Sequence, residues 1–420
     1  FTRGNVLLGM LAALTRVTLF QSLRGRPFAL VWSGQTLSRI GDHLYEVALA
    51  WWVLQKTGSA AAMGTVLICA FTPMLLFLLL GGVAVDRWPR VRVMFLSDLG
   101  RGVLAALVAG LAWTGGLEIG HIYLLSVTFG FVDAFFQPAY SAAVPELTPA
   151  AVLTSANALT SISTQTGRII GPALAAGTMA LGGAPLAFGL NALSFFLAAA
   201  LLVPLLGWPA PVRAEESARA NLLGDLREAA RTVRTTPMLW ITIIVYALVN
   251  ITLAGPYSIG LPFLVKNQLH ADVETLGFLY TMFPIGYVLG GLWLGRQARI
   301  RRRGGLIMGA GVVAGLMLAL FGVSLPVLIL AGAAVINGAA LEMGNLAWTG
   351  TLQALVPGEQ LGRVASMDML GSFALLPVGY ALTAAATDAW GAGPVFLTGG
   401  LLAAGLSAGA LLVPAVRQFD

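Results

Sequence analysis

The sequence predicts an all-α polytopic membrane protein, with twelve transmembrane helices in two pseudo-symmetric six-helix bundles. Three observations predict it. First, charged residues are 10% of the chain and hydrophobic residues 58%, whereas a soluble domain carries about 25% charge. So few charges cannot cover a water-facing surface, and lipid must cover it instead. Second, twelve apolar stretches each reach the roughly 20 residues that a helix needs to cross a hydrocarbon core about 30 Å thick. Third, one turn occurs twice. Residues 81–92 read Gly-Gly-Val-Ala-Val-Asp-Arg-Trp-Pro-Arg-Val-Arg, and residues 290–301 read Gly-Gly-Leu-Trp-Leu-Gly-Arg-Gln-Ala-Arg-Ile-Arg. Both fit GG-x-x-x-[D/G]-R-x-x-R-x-R, at an offset of 209 in a chain of 420. A repeat of this size in a hydrophobic chain signals a duplicated bundle.

The elements follow in order. Residues 1–25 read as an N-terminal interfacial helix. Their apolar run is interrupted by Arg16 and no small-residue cleavage site follows, so a signal peptide is not indicated. The spans fall at about 28–56, 59–83, 91–114, 121–145, 152–181 and 185–207, then 237–265, 273–297, 304–323, 325–350, 362–387 and 392–415. Gly, Pro and polar clusters such as Lys56-Thr57-Gly58-Ser59 separate them. Residues 26–207 therefore make the first bundle and 237–420 the second. The charged segment 208–236 joins them as a cytoplasmic linker that holds a short amphipathic helix. With both termini cytoplasmic, the inner segments carry 19 Arg, while the outer loops carry only Lys56 and Lys266. That asymmetry sets the orientation and supports the span count, since one missed span would scramble the alternation. The formal charge of +6 thus belongs to loops facing anionic headgroups, and no nucleic-acid partner is expected. The chain is expected to act as a monomer in a bacterial cytoplasmic membrane.

An ionised side chain at mid-membrane costs about 2.5–3.5 kcal/mol even on a lenient scale, so such a residue needs a partner, water or a function. Gln35, Arg39, Asp42 and Glu46 follow at i, i+4, i+7 and i+11 in span 1 and form one polar stripe, bordered by His43. Arg39 can pair with Asp42, and Asp42 and Glu46 are placed to share a proton. Asp133 lies midway along span 4, with Gln137 on its face. Asn157, Ser161, Thr164 and Arg168 form a matching stripe in span 5. Asp133 and Arg168 can pair across spans 4 and 5, or Arg168 can meet Asp42; either tie serves as a gate or as a fixed brace. The second half offers Tyr246, Asn250 and Tyr257 in span 7, Glu342 and Asn345 in span 10, and Asp368 in span 11. Two Arg against five acids leave a formal excess of three negative charges in the interior, which favours cations or protons.

At the cytoplasmic turn, Gly82 permits close helix contact. Asp86 can meet the positive end of a neighbouring helix, and Arg87 and Arg90 can pair with Asp86 or Asp98, with Arg101 one turn beyond. Such a cluster would latch the halves on the cytoplasmic face when the transporter opens outward. The second copy has Gly295 in place of Asp86.

On these residues the chain resembles a major facilitator superfamily transporter over nearly its whole length. Gly82-x-x-x-Asp86-Arg87-x-x-Arg90 matches the family's loop 2–3 motif, and Gly167-x-x-x-Gly171-Pro172 resembles the span-5 motif associated with antiporters. Trp32-Ser33-Gly34-Gln35-x-x-Ser38-x-Ile40-Gly41-Asp42 and Pro138-Ala139-Tyr140-x-x-x-x-Pro145-Glu146-Leu147 are similar to the branch of macrolide and multidrug efflux pumps and siderophore exporters, and more distantly to lysophospholipid transporters. The chain departs from the twelve-span drug:proton antiporter pattern in span 4, which carries Asp133 and no Arg. The resemblance implies alternating access and export of small amphipathic or cationic compounds, driven by protons without a cofactor. A lipid or lysophospholipid transporter of the same fold is the alternative. No zincin, nucleophile-elbow or Walker motif supports an enzyme. His43, His121 and His270 lie on different spans or loops, so no metal site is expected. Cys69 is alone in an apolar run and reads as a packed small residue.

Overall fold

The computed structural model describes residues 18–85, 87–208, 222–297, 302–417 and 419, and all the regular structure among them is helical. The membrane-length helices are α1 (Arg26–Thr57), α2 (Ala60–Val85), α3 (Arg90–Trp113), α4 (Ile119–Glu146), α5 (153–182), α6 (184–202), α7 (Pro237–Gln268), α8 (Val273–Gly295), α9 (Arg303–Ala319), α10 (Val327–Leu355), α11 (358–390) and α12 (Ala392–Leu411). Ten described segments are apolar and long enough to cross a membrane. One of them holds both α5 and α6, which meet at Gly183. Helix α1 falls outside the ten because Arg39, Asp42, His43 and Glu46 interrupt its apolar run. Dividing at Gly183 and adding α1 gives twelve crossings, as the sequence predicts.

The turns explain where helices stop. Gly58, Gly115, Gly183 and Gly391 have φ of 63°, 74°, 64° and 83°, a left-handed region that glycine enters without penalty. At Gly58 the N–H closes α1 on the Leu54 carbonyl. All four lie at one end of the bundle, hereafter the upper end; the turn at Arg87–Pro89, Thr18 and Phe419 lie at the lower end. The upper turns span residues 58–59, 114–118, 183, 269–272, 323–326 and 391, none longer than five residues. Pro27 and Pro237 open α1 and α7 at the first helical turn, where a missing N–H costs nothing. Helix α7 accommodates Pro256 with a π-helical turn over Pro256–Gly260, the adjustment that lets a spanning helix carry proline.

Tight pairs brace each bundle. In the first, the Gly81 Cα lies against the Ala134 carbonyl and the Gly130 Cα against the Ala70 carbonyl, joining α2 to α4; in the second, Gly286, Gly290 and Gly338 meet the carbonyls of Val335, Ala339 and Phe283, joining α8 to α10. Small residues allow this backbone approach where lipid supplies no hydrophobic drive between helices. Gly81 and Gly290 are the first glycines of the repeated turn, so the repeat is also a repeat of packing.

The bundles touch each other in their upper halves. Helix α2 meets α11 at Gly64 and Ala384, and Phe71 stands edge-on to Tyr380 at 6.3 Å; α5 meets α8 where Gly277 abuts Pro172 and the Thr281 hydroxyl donates to the Ile169 carbonyl at 3.3 Å. At the top, the Asp388 carboxylate of α11 accepts from the Ala60 N–H (2.6 Å), the Ala61 N–H (2.9 Å) and the Ser59 hydroxyl (3.1 Å), capping α2 of the other bundle. These contacts close the upper side of the space between the bundles.

At the lower end, Ser155 of α5 bonds Ser22 at 3.0 Å and pins a 3-10 turn over Thr18–Arg24. This turn is the described part of the expected interfacial helix; residues 1–17 lie outside the described residues. The linker contains the expected helix, Leu222–Thr235, tied to Gln360 of α11 through Glu228 (2.9 Å) and Thr232 (2.7 Å); residues 209–221 lie outside the description.

Candidate functional site

Ionisable residues gather midway along the helices, first inside the N-terminal bundle. Arg101 of α3 donates to Asp98 at 2.6 Å and to Asp133 of α4 at 3.0 Å. Its guanidinium lies between the rings of Phe136 and Phe195, at 4.1 and 4.6 Å. Gln35 of α1 donates to the other Asp98 oxygen at 2.8 Å. Asp98 is 0% exposed, whereas Asp133 keeps 31% of its side chain accessible. One cation thus holds a fully enclosed and a half-open carboxylate, and Asp42 lies within Coulombic reach of Arg101, Asp133, His43 and Glu46.

The pairings differ from those expected. Asp133 takes Arg101 and not Arg168. Arg39 donates to Thr164 at 3.0 Å and lies 5.1 Å over the Tyr140 ring, away from an ion pair with Asp42. Glu46 bonds His43 at 2.8 Å and not Asp42. The span-1 stripe divides because a helix at the bundle centre has neighbours on several sides: Gln35 reaches α3, Arg39 reaches α5, and Glu46 faces the space between the bundles.

That space is the chamber. The Glu46 side chain is 66% exposed although it lies 11 residues, about 16 Å, below the upper end of α1. Arg168 of α5 is exposed and its guanidinium carbon lies 5.9 Å from the ring of Tyr287 on α8, in the opposite bundle. Tyr257, Tyr280 and Tyr380 of the second bundle lie within Coulombic reach of Glu46. The Tyr280 hydroxyl donates to the Tyr257 carbonyl at 3.1 Å, and their rings stand edge-on at 5.0 Å. Gln137 and Asn157 are exposed along the lower half.

Three glycine-motif residues position this wall. Gly167 and Gly171 bring α5 against Arg39, His43 and Leu44, so that a Cβ would be tight at Gly167 and would clash at Gly171, with Pro172 buried beside them. The close approach sets His43 beside Glu46 at the chamber edge.

The second bundle contributes another cluster. Asp368 accepts from the Trp348 indole N–H at 3.0 Å and from the Ser372 hydroxyl at 3.4 Å; Asn250 donates to the Ser372 carbonyl at 3.0 Å; Tyr246 stands edge-on to Trp348 at 6.0 Å. These ties bind α7, α10 and α11 together and occupy Asn250 and Tyr246 in packing. Glu342 accepts a long bond from Asn345 at 3.5 Å and lies within Coulombic reach of Arg168.

In this upper-closed form Arg90 of the turn motif bonds within its own bundle. Arg90 donates to Glu146 at 2.7 Å and to the Ala142 carbonyl at 3.1 Å, both on α4 of its own bundle. Asp98 and Arg101 are engaged by Gln35, Asp133 and each other, at mid-membrane depth, and do not reach the turn, while the Arg101 Nε is buried without a partner. Arg87 is exposed at the turn and Gly82 lies within α2; Asp86 lies outside the described residues. Asp98 and Arg101, expected at the gate, join the interior cluster instead, and their i+3 spacing in an apolar helix is the signal of a buried pair; the same spacing joins His43 to Glu46.

A family model described as transmembrane secretion effector, MFS_3, matches residues 17–418. The chain is similar to macrolide efflux protein A of Streptococcus pyogenes, with 23% identity over 396 residues, covering 94% of this chain and 97% of that protein. It is similar to enterobactin exporter EntS of Citrobacter koseri, with 28% identity over 341 residues, covering 80% and 79%. Among solved structures, a bacterial homologue of the iron transporter ferroportin in an inward-facing state superposes with a TM-score of 0.69 at 16% identity, covering 92% of this chain and 98% of that one. The twelve crossings, the duplicated bundles and the match across almost the whole length agree: the chain is a multi-pass membrane transporter and belongs to the MFS_3 transmembrane secretion effector family of the major facilitator superfamily.

Proposed function

We propose that this protein is a secondary active exporter of small amphipathic or cationic molecules, working by alternating access and proton antiport in a bacterial cytoplasmic membrane. The Arg-rich lower end faces the cytoplasm, in accord with the positive-inside rule, so the chamber is open to the inside and sealed outside. One observation carries the reading: Glu46 presents a largely exposed carboxylate deep between two membrane bundles, beside a histidine and with Asp42 and Asp133 in Coulombic reach of the same region. A carboxylate held in lipid at such depth faces a chamber that exchanges protons or cations with it. No cofactor is needed, because the proton gradient supplies the energy. The exporters among the relatives support outward transport, and the protein acts as a transporter and not as an enzyme.

Reconstituted proteoliposomes with an imposed pH gradient test the reading. Gradient-driven accumulation of cationic dyes is expected for the wild type, with losses of about tenfold or more for Glu46→Gln and Asp133→Asn, as is usual when a positioned proton-transfer group is removed. Transport that ignores both the gradient and the substitutions would overturn proton antiport.

A second reading, movement of lipid or lysolipid, draws on one feature. A surface groove of about 480 Å³ runs between α8 and α10, with apolar walls from Leu289, Leu292, Trp293 and Met343 and with Arg296 at its lower end. Scrambling of labelled lysolipid in the same vesicles would promote this reading over the first.

A further inference from the structure

We propose that the chamber selects dipolar molecules, which carry a negative and a positive group on one aromatic or apolar frame, and that Arg168 receives the negative group. The inference rests on the transporter reading and narrows its substrate class.

Three arginines sit at mid-membrane depth, and two are spent. Arg101 is bound by Asp98 and Asp133 between two rings. Arg39 is bonded to Thr164 over Tyr140. Arg168 is exposed in the chamber and, among the described residues, makes no hydrogen bond or ion pair; its guanidinium carbon lies 5.9 Å from the Tyr287 ring. Glu46 and Glu342 both act on it through space, yet neither lies within ion-pair distance. Glu342 is turned to Asn345 and Glu46 to His43. A guanidinium in this setting is satisfied only by water or by an anion brought to it, and a fork of five donors is matched to carboxylate or phosphate.

Glu46 offers the complementary pole. Its side chain is 66% exposed and makes one bond, to His43. Half-buried Tyr257 lies within Coulombic reach of it from the other bundle, with Tyr280 and Tyr380 buried in the same reach, and half-buried Tyr287 stands under Arg168. Aromatic walls take up a flat or apolar frame and favour a cation near their faces. A simple cation gains Glu46 but is repelled by Arg168. A simple anion meets the reverse. A dipolar molecule with its charges apart satisfies both.

Rhodamine B and its ethyl ester test this, because they share one frame and one cationic group and differ in a free carboxylate. Binding to purified protein in detergent is followed by fluorescence polarisation. The wild type is expected to bind rhodamine B at least about tenfold more tightly than the ester, the value of one charge-assisted bond. Arg168→Gln should abolish that preference and bind the ester somewhat more tightly, which also reports a folded chamber. Arg168→Lys should keep part of the preference. Lysophosphatidylethanolamine that displaces rhodamine B only when Arg168 is present assigns the dipole to a lipid headgroup. Failure to displace, with the preference intact, assigns it to a soluble amphiphile. Equal binding of dye and ester by the wild type, or an unchanged rhodamine B affinity in Arg168→Gln, overturns the inference. Gradient-driven efflux of the ester alongside such a result would leave the exporter reading standing, whereas no efflux of either dye would remove that reading itself.

Discussion

Arg101 illustrates what one residue does in this interior. A lone guanidinium between two phenyl rings would be expensive to bury, and its two carboxylates would be expensive without it. Arg101→Met is therefore expected to destabilise the protein by about 3–5 kcal/mol, because Asp98 loses its counter-charge while remaining enclosed. The double variant Arg101→Met with Asp98→Asn should recover part of the loss. Thermal unfolding in detergent, read by intrinsic fluorescence, checks both. The pairing of Arg101 with Asp98 is legible in the i+3 spacing. Its bond to Asp133 is not, because periodicity gives the phase of a residue around its own helix and says nothing of how one helix is rotated against the next. For the same reason Asp133 is assigned equally well to Arg168 until α3 and α4 are seen side by side.

At the scale of the element, the paired glycines decide how close helices come. A methyl group at Gly81 or Gly290 would enter the carbonyl of the facing helix, at Ala134 or Ala339. Gly81→Ala and Gly290→Ala should each cost about 1–3 kcal/mol, as overpacking does. Gly110→Ala, where nothing lies within 4 Å of the added atom, should be neutral. Yield of monodisperse protein and its melting temperature separate the two outcomes. This much is readable in advance, since the same Gly-Gly pair recurs 209 residues later. The duplication also reveals the span count and the position of the linker. It shows that the second copy lacks Asp86 but hides what the first turn bonds to, since Arg90 is anchored on Glu146.

At the scale of the molecule, two bundles share their upper halves and part below. The Asp388 cap is the polar clasp of that arrangement, and the sequence offers no hint of it, because the acid and the helix end that it caps are more than 320 residues apart. Asp388→Ala should remove about 1–2 kcal/mol of capping and move the balance between upper-closed and upper-open forms by roughly 5–30-fold. Spin labels at Gln55 and Ala389, read by pulsed dipolar spectroscopy, should show a longer distance population in the variant. An unchanged distribution would show that the apolar contacts around Gly64 and Gly277 hold the top without it.

The brevity of the upper turns has a consequence beyond transport. Four of those reversals need a single left-handed glycine, and the longest connection is five residues. In the proposed orientation, with the basic end inside, such a molecule displays almost no chain to the outside world. Antibodies, phage and proteases that recognise surface loops would find little to grip. Intact cells treated with a broad protease should yield the protein uncut, and an epitope tag placed for external detection would be tolerated at 114–118 and not at Gly183, where the hairpin has no residue to spare.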